Sequence, residues 1–269
     1  IIFSISLFIF KGLNLGIDFK GGTLIEISTD NSNIAELRNI LSPNFNDVSL
    51  QEFGNKNTII IRLQNKNNQE SIETINNVKK LIGNKVSEFR RSEFVGPTIS
   101  AELLWKGLQA VSFALIAILI YIWLRFEWQF GFGAVVALTH DVIFTLGILS
   151  ILNIEFSLST IAAILTIAGY SINDSVVIFD RVRENLRKYK KLDLVDLFNV
   201  SINNTLSRTL MTSFTTLLAL ICLFIFGGSV IQPFAFTMII GVIIGTYSSI
   251  YVAVPTLLLF KFRPQEDDK

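Results

Sequence analysis

Apolar and polar positions follow two different regimes along the chain. From Lys11 to Leu103 they alternate, and basic and acidic residues are interspersed. From Gly107 onward apolar residues run together in long blocks. A membrane-crossing helix needs about 20 mostly apolar residues. Gly107 to Leu124 carries no charge, Trp128 to Ile154 is apolar except for His140 and Asp141, and Phe156 to Phe179 is apolar except for Asp174. Thr209 to Phe260 has no charged residue in 52 positions. That length fits two helices, with a turn at Gly227-Gly228-Ser229 and Pro233 near the next start. Five full spans are predicted. Ile1 to Phe10 is a sixth apolar run, too short to cross and opening on Ile, so residues 1–13 are expected to be a truncated first span. A signal peptide would show a cationic start and a small-residue cleavage site, and neither is present.

The alternating segment, residues 14–103, predicts a small α+β domain. Phe19 to Ser28 reads as a strand and Asn33 to Leu41 has helical period. Val48 to Phe53 and Thr58 to Leu63 read as strands flanking Gly54-Asn55. Ser71 to Ile82 carries a helical stripe of Ile72, Ile75, Val78, Leu81 and Ile82, and Val86 to Val95 is a last strand. The order β-α-β-β-α-β is the ferredoxin-like pattern. The expected fold class is an α-helical polytopic membrane protein of six spans, with this extracytoplasmic domain between spans one and two. Spans two to six occupy 104–262 with a loop at 181–204, and 263–269 form a tail.

Composition narrows the classes. Of 269 residues 51% are hydrophobic and only 17% charged, against roughly 25% charged in an average soluble domain. The net charge of +1 gives no basic excess for nucleic acid. A single cysteine, Cys222, excludes an internal disulfide framework and a cysteine zinc site, and the single histidine, His140, excludes a multi-histidine metal centre. No cofactor, metal ligand set or catalytic group is expected. Charge placement sets the topology. Arg181, Arg183, Arg187, Lys188, Lys190 and Lys191 crowd one short segment beside a span, which should therefore be cytoplasmic. Counting spans then places both termini inside and the domain at 14–103 outside.

Ionisable groups within apolar spans need a reason, since each costs several kcal/mol at mid-bilayer. Three stand out: Asp141, Asp174 and Arg208. Asp141 lies roughly 20 Å beyond Trp128 at 1.5 Å per residue, and Asp174 about 10 Å before Arg181. Arg208 opens the fifth span at the depth of Asp174, so the two are expected to meet if their helices are neighbours. Two readings stay open: a buried ion pair that fixes packing, or a carboxyl that takes up and releases protons. Asp141 is expected to be an accessory group of the proton relay, in a wet cavity. His140 need not touch it, because consecutive helical residues point about 100° apart. Gly169, Ser171, Asn173 and Ser175 surround Asp174 with small and polar groups suited to close helix packing. Ser207, Thr209, Thr212, Ser213, Thr215 and Thr216 continue the theme in the fifth span, as do Gly241, Gly245, Thr246, Ser248 and Ser249 in the last.

Gly16-Ile17-Asp18-Phe19-Lys20-Gly21-Gly22 resembles the signature that opens the extracytoplasmic domain of the SecD/SecF family of protein-export membrane proteins. Gly169 to Asn185, read through Asn173-Asp174-Ser175 and Phe179-Asp180-Arg181, is similar to the fourth-span block of its SecF branch. Ser207-Arg208-Thr209-Leu210 and His140-Asp141-Val142 are similar to that branch's fifth and third spans. Ser175 stands where threonine is commoner and keeps the hydroxyl. The resemblance implies a subunit that acts with SecD, beside the SecYEG channel and YajC, on unfolded exported proteins in the bacterial inner membrane. It implies a relationship to resistance-nodulation-division transporters and use of the proton-motive force. It carries the family's intramembrane aspartate and arginine to Asp174 and Arg208. It also makes Gly16, Asp18, Phe19, Gly21 and Gly22 a link between the first span and the outer domain, where the residues alone read equally as a Gly-Gly turn.

Other functions fit less well. A proton-driven exporter of small molecules or lipids would need a larger outer domain. An aspartyl intramembrane protease would show Gly-x-Gly-Asp, whereas Gly169-Tyr170-Ser171-Ile172-Asn173 precedes Asp174. A pure scaffold of the export complex, with Asp174 and Arg208 as packing groups, is the strongest rival.

Overall fold

The computed structural model describes residues 4, 6, 10–29, 34–45, 48–52, 58–63 and 70–260. Most of the expected first span, the Gly54-Asn55 turn and the tail at 263–269 lie outside them. In chain order the elements are β1 (Asn14–Leu15), α1 (Ile17–Lys20), β2 (Gly22–Ser28), α2 (Ile34–Leu41), β3 (Val48–Glu52), β4 (Thr58–Leu63), α3 (Glu70–Ile82) and β5 (Glu88–Val95). They continue with α4 (Pro97–Arg125), α5 (Trp128–Ile151), β6 (Glu155–Phe156), α6 (Leu158–Lys188), α7 (Leu194–Phe226), α8 (Gly228–Ser248) and α9 (Val254–Leu258). A π-helical turn, Ser249–Ala253, joins the last two. The chain divides into two units. One holds residues 15–109 with 156–158, the other 1–14, 110–155 and 159–269.

In the first unit the strand order is β3-β4-β2-β5 and every neighbour is antiparallel. The two-residue strand period sends Ile25 and Ile27 of β2 and Ile59, Ile61 and Leu63 of β4 to one face. Register aligns Ile25, Ile61 and Leu50 in one row. Leu37 and Leu41 of α2 and Val78 and Ile82 of α3 cover that face, and all four are fully buried. On the other face Leu24, Ile60, Ile17 and Val95 form a smaller cluster.

The sequence reading is corrected at both ends of this unit. Phe19 and Lys20, expected in the first strand, belong to a helical turn. Gly21, at φ 72°, ends that turn and returns its N–H to the Ile17 carbonyl; only glycine takes that angle cheaply. The last strand begins at Glu88 rather than Val86, after a 3-10 turn at Gly83–Lys85. No break falls at residue 103. Pro97, whose missing N–H costs nothing in a first helical turn, starts one helix that runs to Arg125.

The second unit contains helices long and apolar enough to cross a membrane. With the residues of the first unit that open two of them, five such helices are described, the fifth running through the π-helical turn. Their packing rests on aromatic and small residues. Phe126, Phe130 and Phe179 pack with ring centroids 5.2–6.0 Å apart. A methyl at Gly241 would fall inside the envelope of the Ile167 side chain, and one at Gly245 would stand 3.3 Å from Ser171 Cβ. These two glycines, four residues apart, let α8 lie close along α6. The segment 181–204, expected as a loop, is helical except for Tyr189 to Asp193. Asp193 caps α7 by accepting from the Val195 N–H at 3.1 Å, which lets the helix start well before the apolar run.

Candidate functional site

The two aspartates of the spans are both inaccessible, Asp141 at 0% and Asp174 at 3% exposure. Their surroundings differ. Asp141 of α5 accepts Ser171 Oγ of α6 at 2.6 Å and Ser248 Oγ of α8 at 2.7 Å, both on Oδ2. His140 Nδ1 faces its Oδ1 at 3.0 Å. The two side chains, which helical geometry alone does not require to touch, are in contact here. The His140 ring stacks on Phe144 and lies near Tyr247, beside a largely apolar cavity of about 510 Å³.

Asp174 makes no hydrogen bond or ion pair among the described residues, and its Oδ2 is buried without a partner. Arg208 of α7 is the cation that acts on it electrostatically. The expected pair is not closed, and no salt bridge within 4.0 Å joins them. Arg208 points instead to the exposed side of α7. Nearby hydroxyls bond among themselves. Tyr170 donates to Ser213 at 3.1 Å, and Ser213 and Thr246 share a bond of 2.7 Å.

The four packing residues divide. Ser171 and Ser175 are buried, at 1% and 2% exposure. Gly169 and Asn173 are exposed, and nothing lies within 4 Å of a methyl built at Gly169. The helical period explains the correction: residues 171, 174, 175 and 178 share the inward face of α6, and 169 and 173 fall outside it.

The Gly-Gly segment has a specific partner. Gly16 N–H donates to the Phe156 carbonyl at 2.9 Å, Phe19 stacks on Phe156 at 5.7 Å, and Asp18 Oδ2 accepts the Leu158 N–H at 2.8 Å. Leu158 is the first residue of α6, so Asp18 caps from a distance the helix that carries Asp174. Nothing in the local sequence around residue 158 signals this. Gly21 and Gly22, at φ 72° and 118°, turn the chain from that contact into β2.

The basic segment is partly neutralised. Arg181 pairs with Glu184 at 2.7 Å and Arg183 with Glu127 at 3.5 Å. Arg187 and Lys188 are exposed, with Lys188 over the Tyr189 ring. Arg125 spans both oxygens of Asp180 at 2.9 and 3.1 Å. These acidic partners are visible in sequence only once the ends of α4, α5 and α6 are known to meet.

Comparison with known proteins gives these residues a context. Residues 74–263 match the family described as protein export membrane protein SecD/SecF, C-terminal, and residues 6–32 match the SecD/SecF GG motif. The chain is 45% identical to the protein translocase subunit SecF of Rickettsia rickettsii, over 98% of its own length and 88% of that protein. It is 46% identical to SecF of Rickettsia bellii, over 97% and 88%. Among solved structures, SecDF from Thermus thermophilus superposes with a TM-score of 0.87 at 38% identity, covering 96% of this chain and 36% of SecDF. SecDF in its super-membrane-facing form gives 0.69 at 37% identity with the same coverage. This chain therefore spans about a third of the length of SecDF. A family match over residues 74–263 and relatives 45–46% identical over nearly the whole chain settle the family: the chain belongs to the SecD/SecF family of protein-export membrane proteins.

Proposed function

We propose that the chain is a translocase subunit that works with SecD, beside the SecYEG channel and YajC, to draw unfolded exported proteins across the bacterial inner membrane at the expense of the proton-motive force. The observation that carries this reading is Asp174, buried without a partner while Arg208 lies within electrostatic reach but unpaired. A carboxyl in that position has two ways to be accommodated: it takes a proton, or it closes on the cation. Switching between them moves charge within the bilayer, and a charge crossing the whole field is worth about 2.3 kcal/mol per 100 mV. Protonation weakens the pull between α6 and α7 and changes their packing, which is how a proton gradient would do mechanical work here.

The membrane arrangement belongs to the same proposal. Six spans put both termini in the cytoplasm, with the Arg181 to Lys191 segment among cytoplasmic headgroups. The domain at 14–103 lies outside and is ferredoxin-like, a reading supported by its β-α-β-β-α-β order and antiparallel sheet.

Export driven by an imposed proton gradient in inverted membrane vesicles tests the core of this reading. Asp174→Asn, assembled with SecD in the same amount as the unmodified chain, should lose the proton-dependent part of export. Unchanged export would make Asp174 a packing residue and the chain a scaffold.

A further inference from the structure

Asp141 is the best-satisfied buried group in the bundle, and its partners come from two other helices. Ser171 and Ser248 converge on one oxygen at 2.6 and 2.7 Å, while His140 holds the other at 3.0 Å. Close approach of α8 and α6 makes this possible. Gly245, three residues before Ser248, lies against Ser171 itself, and Gly241 lies against Ile167 one turn earlier. Immediately after Ser248 the helix widens into the π-helical turn Ser249–Ala253. The Ala253 carbonyl of that turn fills the space a methyl would need at Gly133 of α5. Thus α5, α6 and α8 meet at one carboxylate, and a departure from α-helical geometry follows directly. Such departures concentrate at functional sites.

The position of Ser171 gives this node a role. Ser171 and Asp174 are three residues apart on α6, about 300° around the axis, and therefore on one face. Apolar contacts alone tolerate some rotation of a helix about its axis. A short hydroxyl–carboxylate bond from Ser171 does not, because a small rotation carries Oγ away from the acceptor and leaves buried polar atoms unpaired. The ionisable group that faces Asp141 directly is His140 of α5, beside Tyr247 of α8, while Arg208 of α7 acts on Asp174.

We propose that Asp141 is a positioning residue: through Ser171 it fixes the rotation of α6 that presents Asp174. The accessory proton carrier expected from sequence becomes an anchor. This rests on the reading above that Asp174 is the working carboxyl.

The test is carbodiimide modification of Asp174, in the full chain assembled with SecD in membranes, followed by peptide mapping. The rate reports how the carboxyl is presented and is independent of export. Ser171→Ala should raise the rate about fivefold, the equivalent of losing one hydrogen bond of about 1 kcal/mol. Ser171→Thr, which restores a hydroxyl, should return it toward the original rate. Asp141→Leu, which removes both acceptor oxygens, should act like Ser171→Ala, and the double variant should add nothing further. Equal rates at Asp174 in all variants, with only the amount of assembled complex reduced, would overturn the proposal and leave a structural knot. Should Asp141→Leu fail to assemble, Ser171→Ala decides alone, since it nearly keeps the packing volume. If modification responds as expected but Asp174→Asn still exports normally on a proton gradient, the positioning stands and the proposed function falls.

Discussion

Asp141 and Asp174 are equally hidden, and they illustrate opposite uses of a buried acid. Asp141 has three side-chain partners drawn from α5, α6 and α8, while Asp174, one turn from one of them, has none among the described residues. Burial is thus a poor guide to role. A carboxyl whose lone pairs are filled by fixed donors belongs to the framework, since any change of state strands those donors. A carboxyl left unfilled at the same depth is free to change partner. The contrast also separates the two helices that flank α6: α8 is drawn close by glycines and shares an acceptor with it, whereas α7 packs on it through apolar residues such as Leu197, Phe198 and Leu220 and through the Tyr170–Ser213 bond.

Substitutions can break this contrast or sharpen it. The largest effect on stability should come from Asp141→Ala. It leaves the buried Ser171 hydroxyl without its acceptor, removes one acceptor of Ser248 and the partner of His140, and is expected to cost about 3 kcal/mol, read by equilibrium unfolding in mixed detergent micelles. Next is Gly241→Leu, which forces bulk against Ile167 and is expected to cost about 2 kcal/mol; it tests whether the α6–α8 seam underlies the Asp141 node. Asp18→Ala removes the cap on Leu158 and should cost about 1 kcal/mol, seen as faster amide exchange in the first turn of α6. Smallest is Asp174→Asn, which removes no hydrogen bond and should change stability by about 0.5 kcal/mol or less, even as it abolishes proton-driven export. If Asp174→Asn proves as destabilising as Asp141→Ala, the contrast between the two acids does not hold.

Much of the local architecture could be read from periodicity. The Ile34–Leu41 and Glu70–Ile82 helices and the strands at Val48–Glu52 and Thr58–Leu63 lie within a residue of where hydrophobic spacing puts them. That spacing is a property of each segment alone. The turn Ile17–Lys20 was not legible, because Phe19 and Lys20 have strand-like neighbours, and what decides their conformation is the left-handed Gly21 and a contact 140 residues away. The helical course of 181–204 escaped for a related reason: its charges resemble a loop until Arg181 is seen to pair with Glu184 one turn on and Arg183 with Glu127 between α4 and α5. In the site, chemistry was legible and pairing was not. Asp141, Asp174 and Arg208 announced themselves as charges in apolar runs. Which of them would be satisfied depended on Ser171 and Ser248, two ordinary serines whose meeting requires the glycines of α8 to bring distant turns together.

The cap on α6 has a mechanical consequence. A hydrogen-bonded helix resists stretching far more than it resists sliding, so it behaves as a stiff rod. Asp174 lies 16 residues from Leu158, about 24 Å along the axis at 1.5 Å per residue. At the capped end of this rod the Asp18 carboxylate and the Gly16 amide hold the Phe156–Leu158 backbone. The Gly-Gly segment is in this sense a mooring: one backbone amide and one carboxylate fix where the rod begins.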